Sequence, residues 1–212
     1  MRICAITDIH GRTHLSAELT RVLKAVDLIV IAGDITHFGN KHDAQRVLDT
    51  FKNLSSSILA VHGNCDQDSV NRLLDDYNIN LHGRSRAVGN TTFYGLGGSN
   101  PSPFNTFQES SDTQIAQVLE QFKKSNTRFH ILVSHAPPVN TKVDTVMFGK
   151  HAGSTAVRTF VEQFQPDVVI CGHIHEARGV DTIGTTVIIN PGPCPKHYAL
   201  ITVENELQYE LH

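Results

Sequence analysis

Five short apolar runs in this chain all end on the same kinds of residue, and that repetition constrains the fold more than any other feature. RICAIT (2–7) runs into Asp8-Ile9-His10, and DLIVIA (27–32) into Gly33-Asp34. SILAVH (57–62) is followed by Gly63-Asn64-Cys65-Asp66, HILVS (130–134) by His135, and DVVICG (167–172) by His173-Ile174-His175. Runs of this length, rich in Val and Ile, read as strands of a buried sheet. Helical patterns over 15–24, 41–53 and 66–76 separate the first three, giving a β-α-β-α-β-α order and an α/β fold. In open α/β sheets ligands gather outside the carboxyl ends of the strands. The runs therefore predict oxygen and imidazole groups collected at one rim.

The rest of the chain continues the pattern. Segments 85–88 and 91–95 read as antiparallel strands turning at Gly89-Asn90. A Gly-, Ser-, Asn- and Pro-rich loop covers 97–110, and a helix is expected over 112–124 with Ser110 or Ser111 as its cap. A strand over 129–134 leads into a long loop, 136–153, opened by Pro137-Pro138. A helix over 154–164 stops before Pro166, and a strand follows over 167–171. The last forty residues read as short strands with turns at Gly184 and Pro191-Gly192-Pro193. Neither a repeat nor a linker interrupts residues 1–212, so one domain is expected.

Composition narrows the partners. The 212 residues carry a net charge of -3, so no global basic field draws the chain to nucleic acid, although a local groove would be hidden in that sum. Tryptophan is absent and Lys and Arg are dispersed, which leaves no basic and aromatic strip for a strand of nucleic acid. No stretch reaches the length of a membrane span, and the first apolar run is too short for a secretory leader. Cys4, Cys65, Cys171 and Cys194 form no C-x-x-C pair, which suits a reducing cytoplasm. Strand-rich edges in the C-terminal part allow an oligomer without selecting one.

Thirteen histidines are unusual for this length. Taken singly, Asp8 could cap a helix, Asp34 and Asn64 could belong to turns, and His135 could be a loop histidine. His173 and His175, alternating in an extended segment, point the same way and form a stronger pair. Together Asp8, His10, Asp34, Asn64, His135, His173 and His175 make a ligand set of carboxylates, an amide and imidazoles. Such a set favours Mn²⁺, Ni²⁺, Fe²⁺ or Zn²⁺ over Ca²⁺. It is too large for one four-coordinate ion and suits two. Only two carboxylates face two dications, so the site should stay positive and attract a phosphate ester.

The motifs D-x-H, G-D, G-N-x-D, H and G-H-x-H stand in order from residue 8 to 175, and in this the chain resembles the calcineurin-like metallophosphoesterases. SHAPP (134–138) and NPGP (190–193) are most similar to the small prokaryotic phosphodiesterases of that group. The resemblance implies a four-layer αββα sandwich with the site at its crest. It implies one ion on Asp8, His10 and His175, a second on Asn64, His135 and His173, and Asp34 bridging both. It also implies attack on phosphorus by a bridging hydroxide, with Asp34, Asn64, Cys65 and His135 in the catalytic set. Position 65 departs from the family, which has a histidine that contacts phosphate and helps protonate the leaving group. A thiol is a poorer acid near neutrality. Esters with good leaving groups should therefore react best, unless Cys65 is only a packing variant.

Other residues carry weaker signals. His151 and Ser154 sit where the long loop enters a helix and are candidate phosphate contacts, with a plain N-cap at Ser154 as the alternative. Asp66 is a candidate to orient a ligand imidazole or to favour a helix dipole. His37 and His197 are candidate rim residues. The function expected is a phosphodiesterase of small substrates. The alternatives are a nuclease or phosphomonoesterase of the same fold, and a non-catalytic metal-binding scaffold.

Overall fold

The computed structural model describes residues 1–55 and 57–212. In chain order the elements are β1 (Arg2–Ile6), α1 (Ala17–Ala25), β2 (Leu28–Ala32), α2 (Lys41–Lys52), β3 (Ile58–Val61), α3 (Asp68–Asp76), β4 (Ser85–Val88) and β5 (Thr91–Leu96). They continue with α4 (Asp112–Leu119), β6 (Phe129–Ser134), β7 (Thr145–Val146), β8 (Lys150–His151), α5 (Thr155–Phe164) and β9 (Val168–Ile170). Four strands close the chain: β10 (Gly179–Ile183), β11 (Thr186–Asn190), β12 (Ala199–Val203) and β13 (Leu207–Leu211).

Two sheets organise these elements. One runs β13-β12-β1-β2-β3, with β1, β2 and β3 parallel; the other runs β10-β11-β9-β6-β5-β4, with β5, β6, β9 and β11 parallel. Successive strand side chains point to opposite faces, and here both faces are buried. In β1, Ile3 and Ala5 enter the core between the sheets, where Val30, Val61, Ile131 and Ile170 meet them. Cys4 and Ile6 enter a second core, formed with Leu23, Val47, Phe51 and Leu74 of α1, α2 and α3. A third core packs Leu132 and Val169 against Ile115, Leu119, Val157 and Val161 of α4 and α5. The layers therefore run α, β, β, α. Continuous apolar runs are what such doubly covered strands require, and they made the strands readable.

Helix starts follow local chemistry. Ser16, Asn40, Ser111 and Ser154 each accept a backbone N–H as N-caps. Ser111, rather than Ser110, caps α4, in a box with Gln114. That helix ends at Leu119, five residues short of the expected 124. The chain turns there so that Phe122 reaches the Tyr94 ring, 5.4 Å away between centroids. The loop 136–153 contains the small β7–β8 hairpin, whose two-residue strands are too short to leave a pattern in sequence.

Candidate metal centre

The carboxyl ends of β1, β2, β3, β6 and β9 lie at one rim, and the turns after them interlock. Asp8 N–H donates to the Gly33 carbonyl (3.1 Å), His10 N–H to that of Asp34 (2.9 Å), and Gly172 N–H to that of His135 (3.0 Å). Asp8, His10, Asp34 and His173 all take left-handed backbone angles, with φ of 52°, 48°, 49° and 69°. Non-glycine residues rarely adopt that region, and such strain concentrates at functional sites. Two glycines make the packing feasible. A Cβ on Gly63 would collide with the Asp34 carboxylate, and one on Gly172 with the Thr7 hydroxyl and Asp8.

Asp66 staples two of these turns together. Its buried carboxylate accepts from the N–H groups of Ile35, Thr36 and Gly63, and from the Thr36 hydroxyl. Its bonds go to neither an imidazole nor a helix end: those from Ile35 and Thr36 fix the Asp34 turn against the Asn64 turn, and the one from Gly63 closes the Asn64 turn itself.

All seven expected ligand residues meet. His175 Nε2 lies 3.4 Å from Asp8 Oδ1 and 3.1 Å from His10 Nε2. His135 Nε2 and His173 Nδ1 each lie 2.8 Å from Asn64 Oδ1. Asp34 stands between the two groups, with Oδ2 at 3.6 Å from His10 Nε2 and Oδ1 at 3.4 Å from His135 Nε2. His135 is oriented through Nδ1, 2.8 Å from the Ala32 carbonyl, which leaves Nε2 turned to the site. His37, at the rim as expected, places Nδ1 3.4 Å from His10 Nδ1.

The charge states fit a bound cation. Burial pushes His10 down to about 4 and His173 down to about 3, so both offer lone pairs at neutral pH. Burial, with the negative Asp66 and Asp8 nearby and against the pull of His135, raises Asp34 to about 6. Burial also disfavours ionised Asp8, but the His175 hydrogen bond and the surrounding imidazoles outweigh it and hold that carboxyl below its usual range. The same Asp8 bond raises His175, against burial. A buried, destabilised carboxylate beside neutral imidazoles is completed electrostatically by positive charge. Asp8, His10 and His175 form one candidate metal-ligand cluster, and Asp8, Asp34 and His135 another.

The Asn64 amide is oriented by residues that sequence reading missed. Glu109 Oε1 accepts the Thr106 hydroxyl at 2.6 Å, which commits that proton. Thr106 Oγ1 must then accept, and it receives Asn64 Nδ2 at 2.9 Å. The amide oxygen is thereby turned to His135 and His173. Burial works to raise Glu109, but bonds from Ser102 and Thr106 prevail and hold it down to about 2, so it stays an acceptor. Cys65 lines the same cleft: its N–H donates to Asp34 Oδ1 (2.9 Å) and its sulfur lies 3.8 Å from Asn64 Nδ2. Burial, then the negative Asp34 beside it, pushes the Cys65 thiol up, so it stays protonated.

Two expected substrate contacts lie elsewhere. Ser154 is buried, caps α5 through Val157 N–H (3.1 Å) and donates to Asp112, so its hydroxyl is spent within the fold; the N-cap alternative is what the structure has. His151 pairs through Nδ1 with Asp144 Oδ1 (2.7 Å) and lines an adjoining cleft rather than the one containing Asp34.

Comparison with known proteins agrees with this geometry. Residues 1–177 match the family described as calcineurin-like phosphoesterase. The chain belongs to that family and carries a candidate metal centre. The uncharacterized protein MJ1162 of Methanocaldococcus jannaschii is 39% identical over 199 residues, covering 91% of this chain and 88% of that one. The TT1561 structure of Thermus thermophilus is similar at a TM-score of 0.71 and 15% identity, over 99% of this chain and 97% of that one. The phosphopantetheinyl hydrolase structure from Mycobacterium tuberculosis is similar at a TM-score of 0.65 and 14% identity, over 92% and 90%. At these identities the two structures speak to the fold alone.

Proposed function

We propose that the chain is a two-metal phosphodiesterase acting on small phosphate esters. Asp8, His10 and His175 would hold one ion, Asn64, His135 and His173 would hold a second, and Asp34 is placed to serve both. The observation that carries this reading is the position of the Asp34 carboxylate, with one oxygen toward His10 and the other toward His135. Manganese, nickel, iron and zinc are the candidate ions, because the donors are oxygens and imidazoles with no thiolate required; manganese is the one tested first. When bound, such ions acidify water toward neutrality and polarise phosphoryl oxygens.

The chain's own residues supply position and polarity. Buried Asp8 and Asp34 fix the negative charge, and the neutral imidazoles of His10 and His173 present lone pairs. Arg12 and His37 line the cleft of about 580 Å³ above them and supply donors for the non-reacting oxygens of the ester. Cys65 keeps its proton, so it gives little help to a departing alkoxide, and aryl leaving groups suit the site best. All four cysteines are free, which agrees with a cytoplasmic setting. Among the described residues no helix is long and apolar enough to cross a membrane.

The test is hydrolysis of bis-p-nitrophenyl phosphate by metal-stripped protein, with and without Mn²⁺, beside Asp34→Asn. Turnover that needs the ion and disappears in the variant is expected. No turnover with any of the four ions, in protein that binds them, would favour a non-catalytic scaffold.

A further inference from the structure

Two clefts share walls with the metal cleft, and their chemistry differs. One, of about 660 Å³, shares Phe104, His173 and Glu176 with it and mixes apolar residues such as Pro101, Pro103 and Met147 with Asn100 and His151. The other, of about 680 Å³, shares Arg12 and His175 and adds Arg178, Lys196, His14 and His197. Among the described residues no Asp or Glu lines this second cleft, although acidic residues outnumber basic ones in the chain, 21 to 18. A concentration of cations against the sign of the whole chain is a local feature that overall charge does not produce.

The two arginines are held in place by main-chain oxygens. Arg12 Nη1 donates to the Cys194 carbonyl at 3.3 Å. Arg178 donates through Nε to the Pro191 carbonyl (3.1 Å) and through Nη2 to the main-chain oxygen of His212, the last residue of the sequence (3.0 Å). Among the described residues, the arginines paired with Asp or Glu side chains are Arg46, Arg72, Arg84 and Arg158, and neither Arg12 nor Arg178 is one of them. Lys196 likewise has no carboxylate partner among the described residues, and it is exposed. A guanidinium group with spare N–H donors and no Asp or Glu side chain on it, as at Arg12, binds phosphate or carboxylate strongly.

We propose that this cleft is a subsite for a second anionic group, a phosphate or carboxylate, on the substituent that the enzyme retains on phosphorus. The natural substrate is then an asymmetric phosphodiester, with a charged substituent reaching toward Arg12, Arg178 and Lys196. Among the described residues the cleft on the Phe104 side carries Glu176 and no Arg or Lys, so it offers such a group less than the Arg12 side does. The inference rests on the phosphodiesterase reading above.

The test compares two aryl diesters with the same scissile bond, p-nitrophenyl propyl phosphate and p-nitrophenyl 3-phosphonopropyl phosphate, using Mn²⁺-loaded protein with the metal in excess. At low ionic strength the phosphonate-bearing ester should show a kcat/KM about tenfold higher, expressed through KM. That ratio should fall toward one as salt is raised. Lys196→Glu should bring it to one or below, and Lys196→Gln should lie between. If both esters turn over but the wild-type ratio is one or less, or Lys196→Glu leaves the ratio unchanged, the subsite is wrong while the phosphodiesterase reading stands. If neither ester turns over, that reading fails and the subsite falls with it.

Discussion

Replacing Thr106 by Val isolates the part of the centre that was hardest to foresee. The change keeps the shape and removes the hydroxyl that joins Glu109 to Asn64, at 2.6 and 2.9 Å. Asn64 is only 4% exposed, so its amide N–H loses its partner without gaining water. Leaving a buried donor unsatisfied costs about 1–3 kcal/mol. The amide is also freed to rotate, which would present N–H in place of oxygen to His135 and His173. Mutation of groups that orient ligands weakens metal affinity by about 10–100-fold, which is the same range of energy. The weaker of two Mn²⁺ binding steps in isothermal titration should therefore lose about that factor, while the tighter step changes less than about threefold. Glu109→Gln should act in the same direction with a smaller effect, because an amide can still accept from Thr106. Unchanged affinity at both steps in Thr106→Val would refute the claim that this chain of bonds sets the amide.

Three further outcomes follow from the same geometry. Protons compete with the ion for Asp34, raised to about 6 by burial, and for His175, raised by its bond to Asp8, so Mn²⁺ affinity should fall as pH drops below about 6; titrations at pH 7.5 and 5.5 check this, and equal affinities would contradict it. Gly63→Ala drives a methyl into the Asp34 carboxylate; a loss of about 1–3 kcal/mol in urea unfolding is expected, together with reduced metal content by elemental analysis. Because the Cys65 thiol keeps its proton, aryl diesters should exceed alkyl monoesters in kcat by at least about tenfold, and Cys65→His should narrow the gap; equal wild-type rates on the two ester types would remove Cys65 from the account.

The sequence carried the strands and the convergence of ligands because both rest on local signals, whereas the four layers came only through the family resemblance. Strands covered on both faces leave unbroken apolar runs, as in β1, β2 and β6, and their carboxyl ends mark the rim. Asp8, His10, His173 and His175 stood out because their side chains follow such runs directly. Thr106 and Glu109 did not, because their role arises when the loop 97–110 folds over the Asn64 turn, with Gln108 N–H on the Asn64 carbonyl at 3.1 Å. Their three-residue spacing reads only as a local turn. Ser154 shows the converse: the pattern placed it correctly at a helix start, and that position alone accounts for its hydroxyl. Arg12 gave no signal, since an exposed arginine after a glycine is ordinary until the cleft beside it is seen.

The central claim is a pair of ions sharing Asp34, and counting them tests it most directly. Protein stripped of metal, reloaded with Mn²⁺ and freed of excess should carry two ions per chain by elemental analysis. Asp34→Asn should carry one or fewer with its fold intact by circular dichroism. A single ion in the wild-type protein, or two retained in Asp34→Asn, would contradict the shared carboxylate.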